Sequence, residues 1–319
     1  MGSLETPTKL LVVDFNNEDL KPGSTSWAHA CKDIRTALED HGCFIVLCDK
    51  VSPQLHNSIF HASQQLFDLP FEKKILNTNE KPYHGYVGQI PFIPYHEAFG
   101  IDHATTIEGV QSFSNLMWSG GNHSFSESSQ SFSKIVAELE EKVLRMLFES
   151  YGVEKHYDSY VESTAYLLRY MKYEVPAESD ENNVVFPCHT DKTFMTVLYQ
   201  LNQVSGLEVQ ARNGEWISAQ FPPSSFIVMA GEAIKGWSNS RVLAPIHKVT
   251  MDANGKEKRY SVGIFSFLKN SKTIEVPEEL VDDEHPLQFK PFVHLDMIKF
   301  FDSDKGRRSK NLLKDFCGI

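Results

Sequence analysis

The spacing of hydrophobic residues changes along this chain, from helical spacing in the first half to strand-like alternation after residue 160. Apolar residues recur three and four positions apart in three segments, which predicts helices over residues 26–41, 53–69 and 128–151. Gly42 and Gly152 stand where the first and third of these helices should end. Two short apolar runs predict strands over residues 10–15 and 43–48. Residues 1–125 are therefore expected to form an N-terminal α/β region.

The second half has the residue pattern of a β-rich domain. Short runs of apolar residues alternate with polar ones and are bounded by turn residues, including the tight-turn pair Asn213-Gly214. They predict strands over residues 166–173, 193–201, 207–211, 215–219, 225–230, 247–251 and 259–268. Closely spaced strands without long helices between them favour a sandwich or barrel over 160–270, most simply a jelly roll. The fold class is thus mainly β with flanking helices, and a helical segment is predicted over 285–319.

The segment 76–126 has little periodicity and is rich in Gly, Pro, Asn, Ser and aromatic residues. We interpret its stretch 84–96, which contains Phe92 and Tyr95, as a covering loop that lines a pocket. The alternative, a packed loop without ligand contacts, is equally compatible with these residues.

Composition narrows the class of protein. A length of 319 residues allows one large unit or two smaller ones, and we expect a single catalytic unit over 1–319. The formal charge of −11 argues against nucleic acid or an anionic membrane as the partner. Five cysteines without a paired framework suit a reducing compartment, so a cytoplasmic protein is expected, with a monomer as the default state. The start Met1-Gly2 resembles an acylation signal but has no basic cluster nearby.

The candidate chemistry lies in two separated segments. His189-Thr190-Asp191 is followed, after 55 intervening residues, by His247. Two imidazoles and one carboxylate are the ligands that a mononuclear Fe(II) site uses when half of its coordination sphere must stay open. Arg259 and Ser261 follow a dozen residues later and could hold a carboxylate. The pattern therefore predicts an iron oxygenase that also binds an organic acid.

His-x-Asp alone is a weak signal, because the chain contains two further copies at residues 156–158 and 294–296. The copy at 294 falls in a predicted amphipathic helix and has no later histidine. The copy at 156 lacks a correctly spaced Arg-x-Ser after its next histidine. We interpret both copies as surface or capping pairs. The copy at 189 differs because it opens a strand-like run and has the later partners.

Strand alternation groups the candidate residues into faces. Successive side chains of a strand point to opposite sides, so one face of the last predicted strand holds Arg259, Ser261, Gly263 and Phe265. The same rule groups Arg169, Met171 and Tyr173, and also His189 with Asp191. One interior could thus hold a metal, a carboxylate clamp and an aromatic wall.

The chain resembles the plant soluble 2-oxoglutarate/Fe(II)-dependent dioxygenases. The likeness is strongest to the subgroup of deoxypodophyllotoxin synthase and the dioxygenases that produce alkenyl- and hydroxyalkyl-glucosinolates. Beyond the triad and the Arg-x-Ser pair, it is carried by "LKPGSTSW" (20–27), "DHGCFIV" (40–46), "NLMW" (115–118), "EKHYDSYVESTAYLLRYMKY" (154–173), "HTDKT" (189–193), "WSNSR" (237–241) and "DDEHPLQFKPF" (282–292). The likeness spans nearly the whole chain.

The resemblance implies a double-stranded β-helix, or jelly roll, and a set of site residues. His189, Asp191 and His247 would bind Fe(II), while Arg259, Ser261 and Tyr173 would hold the distal carboxylate of 2-oxoglutarate. O2 would be the second co-substrate and ascorbate a reductant that preserves activity. The residues expected to contact the substrate are Arg169, Phe265, Phe186, Phe92 and Tyr95. Met171 stands where many relatives outside the subgroup have Asn, and its thioether cannot donate a hydrogen bond to the co-substrate from this position.

The expected reaction is oxidation of a small plant specialised metabolite, coupled to decarboxylation of 2-oxoglutarate to succinate and CO2. Hydroxylation is the default outcome, and desaturation, ring closure or dealkylation are left open. One alternative is an Fe(II) oxidase of the same fold that uses ascorbate or no 2-oxo acid. Another is a barrel that binds a small ligand without turnover. The identity of the substrate is not encoded in any motif.

Overall fold

The structure is a computed structural model that describes residues 9–177 and 183–319. Its strands are β1 (Val12–Asp14), β2 (Cys43–Leu47), β3 (His96–Asp102), β4 (Thr164–Tyr173), β5 (Val184–His189), β6 (Met195–Gln200), β7 (Leu207–Gln210), β8 (Trp216–Ser218), β9 (Ser225–Ala230), β10 (His247–Thr250), β11 (Arg259–Leu268), β12 (Thr273–Ile274) and β13 (Phe292–Val293). Its α-helices are α1 (Thr25–Asp40), α2 (Pro53–Phe67), α3 (Phe71–Lys74), α4 (Ile107–Met117), α5 (His123–Ser150), α6 (Tyr157–Ser163), α7 (Glu232–Trp237), α8 (His294–Asp302), α9 (Asp304–Arg307) and α10 (Leu312–Cys317). Gly2 lies outside the described residues, so its acylation stays a prediction.

Two largely antiparallel sheets form the centre of the fold. The larger has seven strands in the order β1-β2-β9-β6-β11-β4-β3, and the smaller has four in the order β5-β10-β7-β8. All their pairings are antiparallel except β1 with β2. Because β1, β2 and β3 belong to the same sheet as β4, β6, β9 and β11, the N-terminal region continues the large sheet.

The two faces of the large sheet bury different partners, as strand alternation requires. Tyr260, Val262 and Ile264 of β11 pack with the helices in one apolar cluster, on the side where α5 lies against β6 and β11. Phe265 packs on the opposite side, together with Val209 and other residues of the small sheet. The large sheet is therefore sandwiched between a helical layer and the small sheet, and the inner face is the one available for a site.

Helix ends follow local chemistry. Helix α1 begins after Ser24, whose side chain accepts a hydrogen bond from the Trp27 backbone N–H. It ends just before Gly42, whose φ of +69° is the left-handed conformation that glycine tolerates, as expected from the sequence. Among the described residues, no helix is both long and apolar enough to cross a membrane.

Three elements differ from the sequence predictions. The irregular segment predicted over 76–126 contains β3 and α4, so that prediction is wrong for these residues. Strand β3 lies at the sheet edge and has β4 as its neighbour in the sheet, so its strand conformation depends on a long-range partner. Strand β5 was not predicted either, and His189 ends this strand instead of opening the next one.

Helix α5 begins five residues earlier than predicted, after its N-cap Asn122. Its first half is rich in serine, a residue that competes with helical hydrogen bonds and obscures the apolar stripe. In the structure, the hydroxyls of Ser128 and Ser133 donate to carbonyl oxygens four residues earlier, at 2.7 and 2.8 Å. These buried serines thereby satisfy their own polar groups inside the helical layer.

Glu140 gives the helical layer a specific pH dependence. This α5 carboxyl is completely buried, and burial raises its pKa to about 8. Between the ordinary pKa of 4.5 and pH 8, the unfolded chain releases this proton while the folded chain keeps it, so the folded state loses stability as pH rises. We predict that Glu140→Gln removes this pH-dependent loss in the free energy of unfolding, which is on the order of 4 kcal/mol.

The measurement is urea unfolding of both proteins at pH 5 and pH 8. The variant should match the wild type at pH 5 and exceed it in free energy of unfolding at pH 8. Glu138→Gln is the matched control on the same helix, because Glu138 is exposed. An equal pH dependence in E140Q and the wild type would contradict the prediction.

Candidate metal centre and active site

Three potential metal ligands converge at one end of the small sheet. His189 ends β5 and His247 begins β10, and the antiparallel pairing of these strands places the two residues opposite each other. Asp191 lies in the segment that follows β5. One ligand atom of each residue lies within 4.8 Å of the others. Two imidazole nitrogens and one carboxylate oxygen at this separation fit a divalent iron ion with open positions.

Both imidazoles are oriented by the same kind of contact with a backbone carbonyl group. The Nδ1 atoms of His189 and His247 lie 2.9 and 3.1 Å from the carbonyl oxygens of Pro187 and Pro245, each two residues earlier. If Nδ1–H donates to the carbonyl, the Nε2 lone pair is left free to bind a metal. Burial, followed by the charge of His247, lowers the pKa of His189, which favours the neutral ring that a ligand needs. The repeated Pro-x-His motif is a sequence signal that was not used in the prediction.

Asp191 is oriented by a threonine of the large sheet. Its Oδ2 accepts a hydrogen bond of 2.7 Å from Thr196 Oγ1, while Oδ1 lies 3.7 Å from His189 Nε2 and 3.9 Å from His247 Nε2. Burial opposes ionisation, but the two histidines and the threonine outweigh it and lower the pKa of Asp191. One carboxylate oxygen is thus held by the protein and the other faces the imidazoles.

Thr196→Val should therefore weaken metal binding. Valine keeps the volume of the side chain but removes the donor to Asp191, which frees the carboxylate to rotate. We expect the affinity for Fe(II) to fall about tenfold to a hundredfold, the usual effect of losing an orienting partner. Anaerobic Fe(II) titration measures it, with Thr196→Ser as the control that keeps the hydroxyl. Equal affinities of T196V and the wild type would remove this role from Thr196.

The predicted carboxylate clamp is a buried group on the inner face of the large sheet. Arg259 is 2 % exposed and lies opposite Tyr173 in the β11–β4 pairing, with its guanidinium 5.2 Å from the centre of the tyrosine ring. Its Nη1 donates to Ser261 Oγ at 3.3 Å, and its Nε has no hydrogen-bond partner among the described residues. The structure therefore brings Arg259, Ser261 and Tyr173 together with unused donor capacity.

Met171 lies beside this clamp. Its thioether accepts a hydrogen bond from Tyr173 Oη at 3.8 Å, so the phenol is engaged with a soft, weak acceptor. A stronger acceptor such as a carboxylate oxygen can displace this bond at little cost.

Two residues that the sequence reasoning did not single out also face this space. His96 is buried, and its ring lies between those of Tyr173 and Phe186, with ring centres 4.8 and 4.6 Å apart. Gln200 lies opposite Ser261 in the β11–β6 pairing and has a buried Oε1 without a partner in the part of the chain that the structure describes. Neither position carries a local signal, because His96 lies in the unpredicted strand β3 and Gln200 at the end of β6.

The predicted substrate residues divide into two groups. Phe186 contacts His189, with ring centres 4.8 Å apart, and Phe265 lies 5.4 Å from the guanidinium of Arg169. Tyr95 packs against the same inter-sheet cluster, and its hydroxyl accepts a hydrogen bond from the Ala177 N–H at 3.1 Å. Phe92, by contrast, is 79 % exposed, and the structure does not bring it into this group.

The two further His-x-Asp copies have other roles. His156 lies at the surface and faces Glu279 at 3.7 Å, as expected for a surface pair. His294 is buried, and its Nδ1 accepts from the Leu268 N–H at 3.0 Å while its Nε2 lies 2.7 Å from the Lys192 carbonyl. It therefore ties helix α8 to β11 and to the segment after Asp191. The interpretation as a surface or capping pair is wrong for this copy, whose role is structural and not metal-binding.

Comparisons with known proteins agree with this geometry. Residues 163–267 match the family model of the 2OG-Fe(II) oxygenase superfamily, and residues 11–92 match the model described as the N-terminal region of non-haem dioxygenases in morphine synthesis. The chain is 41 % identical over 316 residues to the probable 2-oxoglutarate-dependent dioxygenase AOP1.2 of Arabidopsis thaliana, covering 98 % of this chain and 96 % of the relative. The chain belongs to the 2-oxoglutarate-dependent dioxygenases. The resemblance predicted from the sequence is confirmed.

More distant relatives and solved structures extend the match. The 2-oxoglutarate-dependent dioxygenase AOP3 of Arabidopsis thaliana is 30 % identical over an alignment covering 100 % of this chain and 99 % of the relative. The rice dioxygenase for auxin oxidation superposes with a TM-score of 0.81 at 27 % identity, covering 97 % of this chain and 100 % of the other. The 2-oxoglutarate complex of the Arabidopsis thaliana dioxygenase for auxin oxidation 1 has a TM-score of 0.78 at 27 % identity, covering 87 % of this chain and 100 % of the other. This dioxygenase is thus an oxidoreductase that uses Fe(II), 2-oxoglutarate and O2.

Proposed function

We propose that this dioxygenase oxidises a C–H bond of a small plant metabolite at an Fe(II) ion held by His189, Asp191 and His247. The proposal is supported by the convergence of the three ligand atoms within 4.8 Å, with both imidazoles oriented by proline carbonyls. When bound, iron and 2-oxoglutarate together supply the oxidation of the substrate by O2, with succinate and CO2 as co-products. The protein's own residues bind, orient and exclude water.

The co-substrate is proposed to lie between this centre and Arg259. The guanidinium would grip its distal carboxylate as a bidentate fork, with Ser261 and Tyr173 adding hydrogen bonds. The buried Nε of Arg259, which has no partner among the described residues, supports this assignment because a desolvated donor needs an acceptor. Phe186, Phe265 and Tyr95 would form the apolar wall for the substrate, and ring-containing metabolites fit such a wall. Phe92 would contact the substrate only after a movement of its loop.

The domain organisation is part of the proposal. The two sheets would form a double-stranded β-helix over 160–270, with 1–125 as its N-terminal α/β region and 285–319 as a C-terminal helical segment of one catalytic unit. The inter-sheet apolar cluster and the bond network of His294 support this division. All five cysteines are free thiols, which supports a reducing, cytoplasmic environment. A monomer is proposed as the solution state.

Substrate-dependent release of succinate tests the function. Purified protein is incubated with Fe(II), 2-oxoglutarate, ascorbate and a plant metabolite extract, and succinate and new products are measured by mass spectrometry. Product formation with equimolar succinate supports the proposal. Product formation with ascorbate but without 2-oxoglutarate would instead identify an oxidase of the same fold, and binding of a metabolite without any turnover would identify a non-catalytic barrel.

A further inference from the structure

Arg169 is a second inward-facing cation that the proposed reaction leaves without a partner. It lies on the inner face of β4, four residues from Tyr173, and pairs with Gly100 on one neighbouring strand and Gly263 on the other. Neither glycine has a side chain that could contact the guanidinium. Gly263 lies four positions after Arg259 in β11, which is about 13 Å along the strand. Arg169 and Arg259 thus occupy different levels of the same inner face.

The guanidinium of Arg169 has no counter-ion among the described residues. No carboxylate in this part of the chain lies within ion-pair distance of it, and its Nε is buried without a hydrogen-bond partner. Its ring contact is the face of Phe265, 5.4 Å from the guanidinium carbon. By contrast, Lys172 on the opposite face of the same strand is paired with both Glu97 and Glu174. Lys172 is thus neutralised by carboxylates, whereas Arg169 has no carboxylate partner among the described residues.

The charges of the loaded site do not balance without a further anion. Arg169 and Arg259 both bring a guanidinium charge to the inner face, and the ammonium of Lys192 also lies near the carboxylate of Asp191. Fe(II) and the dianion of 2-oxoglutarate cancel each other, so positive charge remains in excess. Arg169 is half-buried and its Nε is shielded from solvent, and a shielded polar group without a partner is unfavourable. The excess charge lies at the level of Arg169, because Arg259 is assigned to the co-substrate and the Lys192 ammonium donates to the Thr190 carbonyl oxygen.

We infer that the substrate of this dioxygenase carries a carboxylate and that Arg169 binds it. This inference rests on the proposed function, because it takes the iron centre and the Arg259 clamp as given. The planar fork of an arginine matches a carboxylate in two parallel hydrogen bonds. Phe265 lies against the same guanidinium, so the apolar body of the acid would pack beside its charged end. The substrate class is therefore an organic carboxylic acid with an apolar, ring-containing body.

The test uses protein loaded with Zn(II), which is redox-inert, and saturating 2-oxoglutarate. Binding of phenylacetate, 3-phenylpropionate and indole-3-acetate is measured by saturation-transfer NMR titration, each beside its neutral amide. At least one acid should bind more tightly than its amide, and Arg169→Gln should weaken that acid about tenfold without weakening the amide. Arg169→Lys should keep part of the preference, and Arg308→Gln, at an exposed arginine, should keep all of it.

Two results would overturn the inference: no acid-over-amide preference in any of the three pairs, or an unchanged preference in R169Q. Phenylmethanesulfonate is included as a further probe, and its binding in place of every carboxylate would overturn the carboxylate assignment. The affinity for 2-oxoglutarate is measured on the same samples. Wild-type protein that fails to bind 2-oxoglutarate contradicts the proposed function, whereas normal co-substrate binding without an acid preference contradicts only this inference.

Discussion

Asp191→Ala should abolish Fe(II) binding and succinate formation, whereas Asp158→Ala should leave both unchanged. Both aspartates belong to a His-x-Asp motif. Among the described residues, only Asp191 has a carboxylate oxygen within 4.8 Å of the nitrogens of two imidazoles. Loss of an orienting partner alone costs metal sites about tenfold to a hundredfold in affinity, so loss of the ligand itself should exceed a factor of about a hundred. Asp158 is exposed, which makes it a matched control within the same chain.

The measurements are anaerobic Fe(II) titration and succinate release with a metabolite extract. Circular dichroism melting shows whether the variant is folded, and removal of the half-buried Asp191 carboxylate should not lower the melting temperature. Retention of wild-type iron affinity in D191A would contradict the metal assignment. Equal loss in D158A and D191A would show that the assay reports folding instead of the site.

Arg259→Gln should raise the dissociation constant for 2-oxoglutarate by about a hundredfold, because a bidentate, charge-assisted contact is replaced by one neutral hydrogen bond. Glutamine can still donate to the carboxylate but carries no charge. The dissociation constant of Arg259→Lys should lie between those of R259Q and the wild type, since lysine keeps the charge but cannot form two parallel hydrogen bonds. The iron affinity should be unchanged, because Arg259 is not among the three ligands.

Isothermal titration with Zn(II)-loaded protein measures the affinity for 2-oxoglutarate directly. Lys258→Gln is the matched control, since Lys258 is the preceding residue, half-exposed and paired with Glu174. A dissociation constant of R259Q within about twofold of the wild-type value would place the distal carboxylate elsewhere, because a charge-assisted pair is worth more than that factor. Equal effects of K258Q and R259Q would indicate a general electrostatic influence.

Met171 is compatible with the proposed carboxylate clamp, although it supplies no amide at that position. The phenol of Tyr173 is held by the thioether, a weak acceptor, and so remains available to a carboxylate. Gln200, on the next strand beside Ser261, supplies a side-chain amide on the same face. The polar groups around the clamp therefore come from three strands.

The periodicity of the sequence was a good guide to the faces of the strands. It grouped Arg259 with Ser261 and Phe265, and the structure has all three on the inner side of the large sheet. It also predicted the bounds of β9 and β11 without error. These successes share one cause: alternation is a property of neighbouring residues, and a sheet with one face on a core must follow it.

The elements that the sequence did not predict depend on long-range contacts instead of neighbouring residues. Strand β3 is held by its pairing with β4, and β5 by its pairing with β10, so neither is visible in a local window. His96 was missed for this reason, although its ring lies between Tyr173 and Phe186. Phe92 was chosen as an aromatic residue in a candidate loop; it is 79 % exposed, and its contact with the substrate stays a prediction.

The sequence by itself determined the ligand types, the Arg-x-Ser spacing and the family, because these depend on residue identity and order. The sequence also selected the His-x-Asp copy at 189, but only the tertiary structure shows how it meets His247, since that meeting requires β5 and β10 to pair. The tertiary structure alone also decided that Arg169 has glycines on both sides and no counter-ion among the described residues. Whether an inward-facing charge is paired depends on residues that are distant in sequence, and this is the physical reason why the fold was needed to infer the class of the substrate.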